Sequence, residues 1–170
     1  MILIVEGIDR VGKSTLVEKL KKKVGFYPYH NDTNFKVDIM DNDNETDKML
    51  KMLFICDASD PLIVFDRFHW TDYVYGTLER GYNNHKAVSN LKLLEDELKK
   101  RNARIILVVP TDIESSSEQH GRDLSVHQEV FEALFNLTKL KKCRCDYNGI
   151  DHAVEWAREE LNEYIKECGY

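Results

Sequence analysis

A chain of 170 residues, 42% apolar and 32% charged, has the make-up of one folded domain that can bury a core, not of a disordered tail or a fibre. Its formal net charge of −6 excludes the basic footprint of a general nucleic-acid binder, while small anionic ligands stay open because they need only a local cluster of donors. No apolar run reaches membrane-spanning length, no leader pattern is present, and the four cysteines (Cys56, Cys143, Cys145, Cys168) lack disulfide-framework and metal-ligand spacing, so a cytoplasmic protein with reduced thiols is expected.

The chain opens on Ile2-Leu3-Ile4-Val5, a β-branched run that reads as a buried strand, breaks at Gly7, and gives way to a helical pattern from Lys13 to about Val24. Between them Gly7-Ile8-Asp9-Arg10-Val11-Gly12-Lys13-Ser14 has the spacing G-x-x-x-x-G-K-S of a phosphate-binding loop, followed by Thr15. The two glycines free the backbone to aim successive N–H groups at an anion, and the helix N-terminus adds partial positive charge there. In that chemistry Lys13 reaches the β- and γ-phosphates and the Ser14 hydroxyl ligates Mg²⁺.

Gly25 reads as a stop, and Phe26-Tyr27-Pro28-Tyr29-His30 as a short strand that Pro28 assigns to a sheet edge. Residues 31–47 are polar and acidic and read as a loop or mobile cover, with Asp41, Asp43 and Glu45 on a solvated face. A helix is expected over Glu45–Ala58, then a buried strand, Pro61-Leu62-Ile63-Val64-Phe65-Asp66. An Asp at the end of such a strand holds Mg²⁺ in phosphate-loop enzymes, and the fork of Arg67 suits a second phosphate. Helices follow at Trp70–Arg80 and Lys86–Arg101, a strand at Ala103–Val109, and a small, polar, mobile stretch at 115–123. Val126–Leu137 reads as helix, Lys141–Asp146 as the last strand, and Ile150–Cys168 as the closing helix. Strands alternating with helices argue for a doubly wound parallel α/β sheet. The six histidines show no ligand spacing.

Glu6-Gly7-Ile8-Asp9-Arg10-Val11-Gly12-Lys13-Ser14-Thr15 resembles the E-G-x-D-x-x-G-K-[ST]-T loop of thymidylate kinases, and Asp66-Arg67-Phe68-His69-Trp70-Thr71-Asp72-Tyr73-Val74-Tyr75-Gly76 resembles their D-R-[YF]-x-x-S-x-x-A-Y-Q. Leu53-Phe54 stands where that family carries L-F. The resemblance implies a three-layer P-loop NTPase fold with helices on both faces of a five-stranded parallel sheet of order 2-3-1-4-5, and a single domain over 1–170 with its lid at about 112–127. It implies transfer of the γ-phosphoryl of ATP to a deoxynucleoside monophosphate, with ATP and Mg²⁺ as cofactors and nucleotides as partners, by a protein acting alone or as a homodimer.

Carried over residue by residue, Gly7, Asp9, Arg10, Val11, Gly12, Lys13, Ser14 and Thr15 would hold ATP, and Ser14 and Asp66 the metal. Arg10, Lys13, Asp66 and Arg122 would act on the transfer, Arg10 as the loop arginine of one branch of the family and Arg122 as the one arginine of the lid candidate. Asp9, Phe54, Arg67 and Tyr75 would hold the acceptor: Phe54 by stacking on its base, Arg67 by clamping its phosphate, Tyr75 by crowding the 2′ position. Three departures undercut thymine as the base: Gly76 and Ala58 replace base-reading residues, and Pro28-Tyr29-His30-Asn31-Asp32 stands in place of R-E-P-G. Two other readings stay open: a deoxynucleoside kinase acting on a 5′-hydroxyl, with Asp32 as candidate base, and a nucleotide-binding switch with no acceptor. Topology alone points to Asp146-Tyr147-Asn148-Gly149 for the adenine.

Overall fold

The computed structural model describes residues 1–24, 27–30, 42–57 and 63–167. In chain order its elements are β1 (Ile2–Glu6), α1 (Lys13–Val24), β2 (Tyr27–His30), α2 (Asn42–Asp57), β3 (Ile63–Asp66), α3 (His69–Leu78), α4 (Asn84–Lys100), β4 (Arg104–Val108), α5 (Ile113–His120), α6 (Ser125–Leu137), β5 (Lys141–Cys145) and α7 (Ile150–Glu167). An all-parallel core of β3-β1-β4-β5 is continued by the short β2 at its β3 edge, giving the order β2-β3-β1-β4-β5 that the resemblance implied. Pro28 costs little there, because an edge strand pairs on one side only.

Successive strand side chains point to opposite faces of a sheet, yet every residue of β1, β3 and β4 is buried. Such strands need cover on both sides. The helices supply it in two sets, α1 packed with α7, and α3 with α4 and α6, α2 joining the second set through α4. Leu16, Val17 and Leu20 of α1, Leu94 and Leu98 of α4, and Ala153, Val154 and Ala157 of α7 turn their apolar stripes inward onto one continuous core.

Two elements differ from the sequence pattern. The small, polar stretch 115–123, in which no helix was expected, is mostly helix α5. Asp112 starts it, its side chain accepting the Glu114 N–H, and Gly121 ends it at φ 67, where a residue with a Cβ would be strained. α2 also begins earlier than expected, at Asn42, so the end of the supposed acidic loop is helical. The expectations for Gly25, residues 31–41, Asp32, Ala58 and Cys168 lie outside the described residues.

Registry places the chemistry. Val5 pairs with Asp66 and Glu6 with Leu107, so the loop after β1 and the turn after β3 leave the sheet side by side at the carboxyl ends of the strands.

Candidate active site

The loop is held open by backbone conformations that few residues adopt. Gly7 has φ 139, Arg10 φ 62 and Gly12 φ 97. A Cβ on Gly7 would lie 2.1 Å from the Val108 carbonyl oxygen, so position 7 has no room for a side chain. Lys13, 4% exposed, folds back over the loop and donates to the carbonyl oxygen of Gly7 at 2.8 Å and to that of Ile8. Burial, with the nearby Arg67 charge, lowers the Lys13 ammonium to about 8, against the opposing pull of Asp9, Asp66 and Glu6. Val11 is buried beneath the loop, Thr15 is half-buried, and Arg10 and Ser14 face solvent, Ser14 in the first turn of α1.

β3 ends on Asp66, 8% exposed, and Arg67 follows at φ 70 with its N–H bound to the Val5 carbonyl at 2.9 Å. The Arg67 guanidinium pairs with the Asp9 carboxylate of the loop. Tyr75, 6% exposed, lies close enough to both for their charges to act on it. Burial first, and then Asp9, push its phenol up to about 12, while Arg67 opposes. Arg122 joins from the far side, its guanidinium 5.7 Å from the Tyr75 ring centroid and 2.5 Å from Glu79 Oε1. His127 Nε2 bonds the same Glu79 oxygen at 2.7 Å, and its ring lies 5.1 Å from that of Tyr75.

Asp9, Lys13, Asp66, Arg67, Tyr75 and Arg122 are thus brought together. Phe54 is not. It is 64% exposed in the last turn of α2, under the guanidinium of Arg101 at 5.5 Å. Arg101 pairs with Asp57 and caps α4 just before β4 begins, so Phe54 sits at the amino end of the strands, opposite the loop.

The departure at Gly76 has a packing cause: a Cβ there would lie 2.3 Å from the Tyr82 ring, which fills the place a longer residue would take. Tyr82 and Asp72 line a shallow cleft between α2, α3 and α4, with Thr46, Lys86 and Asn90. The Tyr147 ring, 58% exposed, lies 2.8 Å from where a Cβ on Gly12 would be, and so edges the loop. Glu6 opens the loop motif in the sequence without a role assigned to it, yet it is fully buried and bonds the start of α3, and burial raises its carboxyl above the ordinary range.

The donor set fits a hard cation. The Ser14 hydroxyl and the Asp66 carboxylate offer oxygen, and no cluster of His, Cys, Asp and Glu among the described residues would hold a metal unaided. A site with so few protein ligands suits Mg²⁺, which keeps water and takes phosphate oxygens.

No family model matches the chain, and neither does any curated protein sequence. Solved structures do. The YorR protein of Bacillus subtilis, solved in complex with phosphorylated GDP, superposes with a TM-score of 0.73 at 18% identity, over 100% of this chain and 99% of that one. A thymidylate kinase from Ehrlichia chaffeensis gives 0.53 at 14% identity, over 95% of this chain and 98% of that one. A deoxyadenosine kinase from M. mycoides with bound dATP also gives 0.53, at 13% identity, over 95% and 100%. The chain therefore has the fold of the P-loop nucleotide and nucleoside kinases.

Proposed function

We propose that this protein is a phosphotransferase that passes the γ-phosphoryl of ATP to a deoxynucleoside monophosphate. The observation that carries the reading is the Arg67–Asp9 pair at the edge of the loop that buries Lys13. A nucleotide switch has no use for a second phosphate clamp beside the first. Loop N–H groups and Lys13 hold the donor phosphates, and Arg67, released in part from Asp9, grips the acceptor phosphate. Arg10, exposed at the loop tip, neutralises charge on the phosphoryl in flight, and Arg122 assists from α5's end. Mg²⁺ bound at Ser14 and Asp66 would offset charge on the donor phosphates. An ionised phosphate is already a competent nucleophile, so positioning and charge neutralisation do most of the work. Tyr147 edges the donor loop, where the adenine of ATP would lie.

The test is ADP release from ATP with each deoxynucleoside and each deoxynucleoside monophosphate. Turnover confined to monophosphates supports the reading. Turnover confined to nucleosides makes the protein a 5′-hydroxyl kinase, and slow hydrolysis that no acceptor accelerates makes it a switch.

A further inference from the structure

The first turn of α3 lies directly after Arg67, and it lacks a cap of its own. Phe68 occupies the N-cap position, and its apolar side chain makes no capping hydrogen bond. Helix N-termini leave N–H groups that need acceptors. Here the acceptor comes from β1. Glu6 Oε1 receives the N–H of Phe68 at 2.9 Å, of Trp70 at 3.0 Å and of Thr71 at 3.4 Å, while Oε2 receives the Thr71 hydroxyl. A carboxylate with no exposure is costly unless its hydrogen bonds are filled, and these fill it. Val5, one residue earlier, holds the Arg67 N–H. The far side of the same turn is held by Glu95 of α4, which bonds His69 Nε2 and Trp70 Nε1, both at 2.8 Å.

We propose that Glu6 is a positioning residue for phosphoryl transfer: from the strand that feeds the donor loop, it fixes the start of α3 and with it the direction of the acceptor clamp Arg67. Arg67 stands at φ 70, a bend whose downstream side must be anchored for the guanidinium to keep its aim. Glu6 lies next to Gly7, so one residue ties the donor loop to the acceptor clamp. The inference rests on the two-nucleotide reading above.

Three variants separate reach from charge. Glu6→Gln keeps an oxygen for the three N–H groups and offers an amide to the Thr71 hydroxyl, so both KM values stay within about threefold of the parent. Glu6→Asp keeps the charge on a shorter arm, and the acceptor KM rises about tenfold while the ATP KM moves less than about threefold. Thr71→Val breaks one bond only and raises the acceptor KM about threefold. Amide exchange at Phe68, Trp70 and Thr71 accelerates in Glu6→Asp and not in Glu6→Gln. A normal Glu6→Asp, an impaired Glu6→Gln, equal changes in both KM values, or unchanged exchange overturns the proposal. Should no acceptor turn over at all, the two-nucleotide reading fails by itself, and exchange still reports whether Glu6 holds α3.

Discussion

Two arginines reach the neighbourhood of Tyr75 by different means. Arg67 is aimed by the sheet: its N–H is bound to β1, its φ is 70, and its side chain, 30% exposed, pairs with a carboxylate of the loop. Arg122 follows the left-handed Gly121 and is held by Glu79, in a pair whose side chains are 38% and 31% exposed. A left-handed non-glycine residue costs about 1 kcal/mol or more, a cost borne only where the surroundings impose the conformation. An ion pair in solvent is worth at most about 1 kcal/mol. The first arginine is therefore built in, and the second is cheap to move. On the reading proposed above, the fixed arginine would bind and the other would close over it.

Variants can break this contrast, the most damaging first. Lys13→Met removes the buried cation and should lower turnover by about a thousandfold or more, read as ADP release. Arg10→Ala should lower kcat about a hundredfold while ATP affinity by calorimetry barely changes, and unchanged turnover would remove Arg10 from the mechanism. Arg67→Gly should raise the acceptor KM about thirtyfold without lowering Tm, because glycine relieves the positive φ; a clear fall in Tm would mean that the side chain is structural. Protonated Lys13 is the form that binds phosphate, and it is lost as pH rises through about 8 in the free protein. Hence kcat/KM for ATP should fall about tenfold per pH unit on the alkaline side, a limb that Lys13→Arg should abolish. Glu79→Gln weakens the holds on Arg122 and His127 together and should change kcat by less than about fivefold; a larger loss would place Arg122 among the fixed parts.

What the sequence disclosed was what backbone chemistry dictates. Gly7, Gly12 and Lys13 sit at a spacing set by phosphate geometry, and the apolar runs ending at Val5 and Asp66 are strands because both of their faces are buried. The order of the strands came from resemblance, since periodicity says nothing of neighbours. Helix α5 was hidden by its composition: Ser115, Ser116 and Ser117 carry no apolar stripe, and its caps, Asp112 and Gly121, were seen only in the structure. Phe54 misled because a motif match fixes residue type and order, whereas the length of α2 fixes which end of the sheet a residue reaches. Glu6 was legible as the first letter of the loop motif, but what it holds was not. Its partners belong to a helix on another strand's connection, and the one local hint was negative, the apolar Phe68 where a capping residue is expected.

The contact between Gly7 and the Val108 oxygen decides how mutagenesis of this loop has to be interpreted. Alanine at position 7 would shove the last residue of β4 aside, so its injury is to the sheet. Alanine at position 10 removes an exposed guanidinium and opens no such clash in the sheet. Lost activity at the first position would speak of the sheet, whereas loss at the second with Tm unchanged would speak of the loop's charge.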